Sequence, residues 1–157
     1  MNLRLAVLEP WAAAGRFSAP AQTSDREVQS VVMEAARARM VVAWRCVQGA
    51  QICARRYEGA LPKDDAAVTI LVPGVPEAHQ AWEVGPGGLK PLRQRRATGG
   101  VAVTLDHFTS HALVLVSGEP AVTAHVQDRL RQAAAAELAS ARTLAGLVLA
   151  ADEHQRV

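Results

Sequence analysis

A chain of 157 residues is long enough for one domain with its own hydrophobic core and too short for two domains of ordinary size. Half of its residues are hydrophobic and 20% are charged, which is typical of a globular protein and excludes a disordered one. The formal net charge of +2 is too small to favour nucleic acid as a partner. No apolar run approaches the roughly 20 residues of a membrane-spanning helix, so we expect no membrane partner.

The first 23 residues are predicted to form a short helix and a connection. Apolar residues recur at helical spacing from Leu3 to Ala14, and Gly15 lies where a helix commonly ends. Pro10 predicts that this helix is short or kinked. The polar segment from Phe17 to Thr23 is then interpreted as the connection to the main body of the chain.

The segment from Ser24 to Cys46 permits two interpretations. Ser24 and Glu27 match a helix-capping box, and the apolar residues after them recur at helical spacing, so local rules slightly favour a helix. The same segment also divides into two β-rich runs, Val28–Met33 and Met40–Trp44, around the sequence AARAR, and this division predicts a hairpin.

Strand patterns dominate the rest of the chain up to residue 116. The segment Gln48–Asp65 is predicted to be a loop, because it contains two glycines, a proline and paired aspartates. Short glycine-containing turns separate several of the apolar runs that follow, which predicts an antiparallel meander. The predicted strands are Ala66–Val72, His79–Val84, Leu89–Arg95, Val101–Leu105 and Ala112–Val116.

A long helix is predicted after the last strand. Pro120 suits a first helical turn, and apolar residues recur at helical spacing from Val122 to about Ala151. At 1.5 Å per residue this helix would be on the order of 45 Å long, which exceeds the width of a small sandwich. We therefore expect its far part to dock on another chain, fold back or lead into a further domain. Leu130→Asp and Leu138→Asp are both expected to abolish self-association or docking and leave the β-domain folded.

Several short motifs resemble those of one known module. They are the turn PGVPE, the sequence GGL before a basic strand, and GGVAVTL followed by FTSHALVL. With these motifs, the chain from Asp25 to Ser117 resembles the C-terminal β-sandwich of bacterial glycoside-hydrolase-like proteins, in which the module follows a catalytic (β/α) barrel. The resemblance implies that Val28–Trp44 is a strand pair, and we follow it there. It also implies that the first helix is the last helix of a barrel.

These observations predict a mainly β protein with α-helices. We expect an antiparallel β-sandwich of about six to eight strands, flanked by a short N-terminal helix and a long C-terminal helix. The predicted units are 1–23, the N-terminal helix and connection; 24–118, the β-sandwich; and 119–157, the long helix.

The resemblance implies a non-catalytic accessory module. We expect it to pack against a catalytic barrel domain or a partner chain, or to self-associate through its C-terminal helix. The alternative is an independent module that binds carbohydrate or another ligand. Because these residues contain no barrel, the paired catalytic carboxylates of that family have no counterpart here, and we expect no enzyme activity.

No catalytic, cofactor or metal site is predicted. Asp106, His107, Ser110 and His111 include the residue types of a catalytic triad, but residues so close along a strand corner do not generally converge on one substrate atom. These two histidines, or the distant His79 and His125, have no cysteine or acid at a convincing ligand spacing. The spacing of Cys46 and Cys53 fits neither a zinc site nor a C-x-x-C motif, which leaves free thiols or one disulfide.

Trp82, Arg93 and Arg95 are the candidate ligand-binding residues. The polar neighbours of Trp82 in HQAWEV favour exposure, and an exposed aromatic ring can stack on a sugar. Arg93 and Arg95 alternate onto one face of a strand, where they could attract an anionic glycan or a phosphate. Each also has a structural interpretation, because Trp82 can pack in the core and the arginines can protect an exposed strand from aggregation.

Overall fold

The structure is a computed structural model that describes residues 3–35, 37–46, 66–76 and 78–155. Within these ranges it contains two helices and ten strands. In chain order they are α1 (Leu3–Ala14), β1 (Arg16–Phe17), β2 (Gln22–Thr23), β3 (Val28–Ala35), β4 (Ala38–Arg45), β5 (Ala66–Pro73), β6 (Gln80–Gly85), β7 (Gly88–Pro91), β8 (Arg93–Ala97), β9 (Gly100–Phe108), β10 (His111–Ser117) and α2 (Pro120–Gln155). The predicted loop Gln48–Asp65 lies outside the described residues.

The strands form two antiparallel sheets. One sheet has six strands in the order β1-β3-β4-β10-β6-β7, and the other has four in the order β2-β5-β9-β8. The predicted fold class is therefore confirmed: the protein is mainly β, with a short helix before the sheets and a long one after them. Among the described strands, β1 and β2 have two residues each and the others have four or more. These two short strands lie in the segment that was predicted to be a connection.

The hairpin interpretation of residues 24–46 is confirmed. β3 and β4 pair over their whole length, from Val28 with Arg45 to Ala35 with Ala38. The helical spacing was misleading because β3 is apolar on both faces. Val32 faces the other sheet, whereas Met33 faces the helices. Apolar residues on both faces hide the alternation of apolar and polar residues that marks a half-buried strand.

The predicted meander is wrong. The run Leu89–Arg95 is two strands in different sheets, β7 and β8, and the chain changes sheet at Leu92. Pro91 is the last residue of β7, and the Leu92 amide still donates a hydrogen bond of 2.9 Å to the Ala81 carbonyl of β6. The Leu92 side chain packs against the core between the sheets. In the same way β9 and β10, although consecutive, belong to opposite sheets. The chain therefore crosses from one sheet to the other both between β7 and β8 and between β9 and β10.

The core between the two sheets is built from small and branched residues of both. Each strand contributes alternate residues, because successive side chains point to opposite faces. The buried residues of this inter-sheet core are Ala21, Val28, Val32, Val41, Ala43, Val68, Ile70, Val72, Val75, Ala81, Val101, Val103, Leu105, Phe108, Ala112, Val114 and Val116. Both faces of β10 are buried from Ala112 to Ser117.

Helices α1 and α2 cover the outer face of the six-stranded sheet. They bury a second cluster, here called the helix–sheet cluster, and Arg129 of α2 donates a hydrogen bond of 2.7 Å to the Glu9 carboxylate of α1. The buried members of this cluster are Val7, Trp11, Met33, Ala38, Met40, Val84, Leu113, Leu115, Val126, Leu130 and Ala133. The protein therefore has three layers: a helix pair, the six-stranded sheet and the four-stranded sheet.

Helix α2 extends past the part of the sheet that it covers. Its 36 residues correspond to about 54 Å at 1.5 Å per residue. Leu130 is buried in the helix–sheet cluster, so we now expect Leu130→Asp to destabilise the β-domain as well, because it would bury a charge. Leu138 is exposed. Among the described residues, neither helix combines the length and the apolar character needed to cross a membrane.

Candidate functional site

The structure does not bring Trp82 together with Arg93 and Arg95. Trp82 lies on β6, half-buried, and packs against the helix–sheet cluster on the outer face of the six-stranded sheet. Arg93 and Arg95 lie on β8 and pair with Thr104 and Ala102, on the outer face of the four-stranded sheet. The three residues are thus on opposite sides of the sandwich and do not form one site. That any of them contacts a ligand stays a prediction.

The acidic, histidine and serine side chains of the β9–β10 corner point to different partners. Asp106 forms an ion pair with Arg93 of the neighbouring strand. Ser110 Oγ lies 2.7 Å from Nδ1 of the adjacent His111. Asp106 therefore engages an arginine, whereas a triad would need it to orient a histidine. Among the described residues, no three potential metal ligands come together, and Cys46 is exposed while Cys53 lies outside the described ranges.

A cleft of about 610 Å³ opens at one end of the sandwich. It lies where the end of α1, the β3–β4 turn, the β5–β6 connection and the β10–α2 junction meet. Its size is within the range of small-molecule sites, which is roughly 300 to 1,000 Å³. The cleft is lined by Ala14, Arg16, Glu34, Ala35, Arg37, Ala38, Arg39, Gly74, Pro76, His79 and Glu119.

One wall of the cleft is a row of charged residues on three adjacent strands. Arg16 of β1 is paired with Glu34 of β3, and Glu34 is paired with Arg39 of β4. Arg39 Nε donates a hydrogen bond of 2.6 Å to Glu34 Oε1, and its Nη1 donates one of 2.7 Å to the Gly74 carbonyl oxygen. These two bonds fix the Arg39 guanidinium at the end of the inter-sheet space. Neither bond uses Nη2.

His79 forms part of the opposite wall. Its backbone is held at both ends, because its amide donates to the Pro76 carbonyl at 3.2 Å and its carbonyl accepts from Gln94 Nε2 at 2.8 Å. The ring lies against Gly118, and its Nδ1 is buried without a hydrogen-bond partner. Burial lowers the pKa of His79, and the nearby Arg39 charge lowers it further, whereas Glu119 partly opposes the shift. His79 is thereby favoured in its neutral form.

Arg37 and Glu119 lie at the mouth of the cleft. Arg37 is in the β3–β4 turn with φ of 61°, a left-handed conformation that projects its side chain outward, where it is 86% exposed. Its Nη1 is 3.8 Å from Glu119 Oε1, too far for a hydrogen bond. This ion pair is therefore loose, and solvent screens it.

No local pattern in the sequence indicates this cleft. Arg16 and Arg39 are 23 positions apart and belong to separate local patterns, and only strand register places both beside Glu34. His79 was considered solely as a metal ligand, because nothing near it in the chain indicates contact with Gly118.

A second exposed feature is the far half of α2. Every residue from Ala134 to Ala145 is exposed, including Leu138 at 53% and Leu144 at 63%. Four of these residues recur at spacings of four, three and four, which places them along one stripe of the helix. We call Ala134, Leu138, Ala141 and Ala145 the distal α2 stripe.

Comparison with protein-family models and with curated proteins gives no relative. No protein-family model matches the chain, and no curated protein matches it. The glycoside-hydrolase-like origin therefore stays a prediction that rests on the short motifs of the sequence.

Proposed function

We propose that this protein is a non-catalytic module that assembles through the distal α2 stripe, and that the partner is a second copy of the same chain. The observation that carries the proposal is the exposure of a heptad-spaced apolar stripe beyond the sandwich, with Leu138 53% exposed. The proposal retains the accessory role implied by the resemblance. It differs in naming a second copy, in place of a catalytic barrel, as the partner.

The charges beside the stripe favour a parallel pair of helices. Glu137 and Arg142 lie on opposite flanks of the stripe, five residues apart. In a parallel two-stranded coiled coil, residues at this spacing on the two flanks face each other across the interface. Glu137 of each copy would therefore face Arg142 of the other, and the contact would occur twice by symmetry. An antiparallel pair would instead place like charges together.

The position of the sandwich also supports this pairing. Val126, Leu130 and Ala133 face the sheet, whereas Leu138 and Ala141 lie roughly a quarter-turn away around the helix axis, at 3.6 residues per turn. Two copies could join along the stripe with their sandwiches on opposite sides of the helix pair. The same helix would then serve the fold with its first half and assembly with its second.

The experiment is sedimentation equilibrium of the full chain over a range of concentrations. We expect a reversible shift from 16.7 kDa to twice that mass. Leu138→Asp places a charge in the stripe and should raise the dimer dissociation constant at least tenfold, about 1.4 kcal/mol. The matched control is Ala136→Asp, which adds the same charge on the opposite face of the helix and should leave the dissociation constant unchanged.

Charge exchange tests the orientation. Glu137→Arg and Arg142→Glu should each weaken the dimer, because each places like charges opposite one another. The double variant restores the opposite charges and should recover the dimer. A chain that is monomeric at every concentration overturns the proposal. The partner that covers the distal α2 stripe would then be a different protein, such as the barrel implied by the resemblance. A dimer in which Ala136→Asp and Leu138→Asp act equally also overturns it.

A further inference from the structure

We propose that the cleft binds a small organic ligand through a carboxylate or phosphate group, which Arg16, Arg37 and Arg39 hold. This inference is independent of assembly through α2, because none of the cleft residues belongs to the distal α2 stripe.

The charge of the cleft favours an anion. Among the residues that the structure describes, three guanidinium groups line it, and two carboxylates, Glu34 and Glu119, oppose them. Glu34 is hydrogen-bonded to Arg39 and offsets mainly that charge. Arg16 lies beside Glu34 in the strand register but forms no ion pair with an acidic side chain among the described residues. Arg37 has only the loose contact with Glu119. The cleft therefore presents uncompensated positive charge.

Arg39 supplies a fixed hydrogen-bond donor. Its hydrogen bonds to Glu34 and to the Gly74 carbonyl hold the guanidinium in place before any ligand arrives. Nη2 is left for a ligand, and a guanidinium fork matches the geometry of a carboxylate or phosphate. A donor that is already ordered loses little entropy on binding, which favours affinity. Arg37 and Arg16 are more exposed and can close on the anion from outside.

His79 lines the cleft with a ring whose Nδ1 makes no hydrogen bond. A buried polar atom without a hydrogen bond is destabilising, and native proteins rarely retain one without a reason. Nδ1 of His79 is such an atom, on a residue that lines the cleft. Because this nitrogen is buried, a ligand in the cleft could reach it only if the His79 ring turned. The charge and shape of the cleft therefore carry the inference, and the His79 ring serves as a reporter at its wall.

The remaining lining indicates an organic ligand more than a bare ion. Ala14, Ala35, Ala38 and Pro76 contribute small apolar surface to the same cleft. Pockets of this kind combine apolar walls with a few polar groups that orient the ligand. The volume of about 610 Å³ is also far larger than a single anion requires.

The test is an NMR titration of the full chain with inorganic phosphate and, separately, with succinate, at constant ionic strength. We expect saturable shifts of cleft residues, including the His79 ring, in the millimolar range for at least one probe. Saturation by phosphate alone assigns a phosphate-bearing ligand, and saturation by succinate alone assigns a carboxylate. Saturation by neither, or shifts that spread over the whole surface, overturns the proposal.

A pair of double variants separates the cleft from general electrostatics. Arg16→Gln with Arg37→Asn removes two exposed charges, and asparagine tolerates the left-handed φ of 61° at position 37. This variant should weaken binding at least tenfold. Arg26→Gln with Lys90→Gln makes the same change in net charge at two exposed positions that do not line the cleft, and it should bind as the unaltered protein does. Equal weakening in both variants overturns the proposal.

Discussion

Gly118 lies so close to the ring of His79 that a Cβ atom added to Gly118 would be 2.6 Å from His79 Cδ2. Carbon atoms in contact are normally about 3.5 to 4.0 Å apart. The contact joins the β5–β6 connection to the β10–α2 junction, and so fixes one wall of the cleft to the start of the long helix. The absence of a side chain at position 118 is therefore a packing requirement.

Gly118→Ala should destabilise the protein. The added methyl group must displace the His79 ring. Hydrogen bonds to Pro76 and Gln94 hold the backbone of His79, so the ring has to leave its place by turning about its own side-chain bonds. Overpacking of this kind costs about 1 to 3 kcal/mol. The measurement is the free energy of unfolding from urea titration, compared with that of the unaltered protein.

Gly87→Ala is the control for this substitution. Gly87 lies in the turn between β6 and β7, and a Cβ atom there would have no atom within 4 Å. Its effect should stay within about 0.5 kcal/mol. Similar losses for Gly87→Ala and Gly118→Ala would show that the contact with His79 is not the cause.

The protonation of His79 should make the protein less stable in acid. Burial and Arg39 lower the pKa of His79 below its ordinary value of 6.5, so the unfolded chain binds the proton more readily than the folded protein. The contribution of His79 to the free energy of unfolding is fully present above pH 6.5, and falls as the pH drops from there towards the lowered pKa.

His79→Gln isolates this contribution. The unfolding free energy is measured for both proteins at about pH 7.5 and about pH 5.5, which bracket the ordinary histidine pKa. Other histidines and the carboxylates titrate in both proteins and cancel in the difference. The unaltered protein should lose more stability between the two pH values than the variant loses. Equal losses would mean that His79 titrates with the same pKa in the folded and unfolded states.

The sequence predicts the fold best where a strand has one polar face. Val101, Val103 and Leu105 of β9 alternate with residues of the outer face, and the structure places all three in the inter-sheet core. The sequence of β3 fits either a helix or a strand, because Val32 and Met33 are both buried. Val32 lies against the four-stranded sheet and Met33 against the helices. The covering helices make both faces of the six-stranded sheet apolar, and local periodicity does not distinguish that pattern from a helix.

The change of sheet at Leu92 and the cleft depend on long-range packing. No local rule divides Leu89–Arg95 between two sheets, although Pro91 marks the point of division. The charged row of the cleft arises from strand register alone, and the contact of His79 with Gly118 joins residues 39 positions apart. Sequence patterns report which residues share a face of one element, whereas these features depend on which elements become neighbours.

Leu130 and Leu138 lie eight residues apart on α2, and truncation should lower the stability of the fold at Leu130 but hardly at Leu138. Leu130 is 3% exposed in the helix–sheet cluster, whereas Leu138 is 53% exposed. Leu130→Ala should lower the free energy of unfolding by about 2 to 5 kcal/mol, because it leaves a cavity beneath the helix. Leu138→Ala should change it by no more than about 0.5 kcal/mol.

The two variants should also separate folding from assembly. Their unfolding is measured at a concentration where the chain is monomeric, because dimerisation would add its own concentration-dependent stability. At higher concentrations Leu138→Ala should weaken the dimer, although less than Leu138→Asp does. A loss of folding stability in Leu138→Ala as large as that in Leu130→Ala would place Leu138 in the core of the monomer, and would contradict the division of α2 into a folding half and an assembly half.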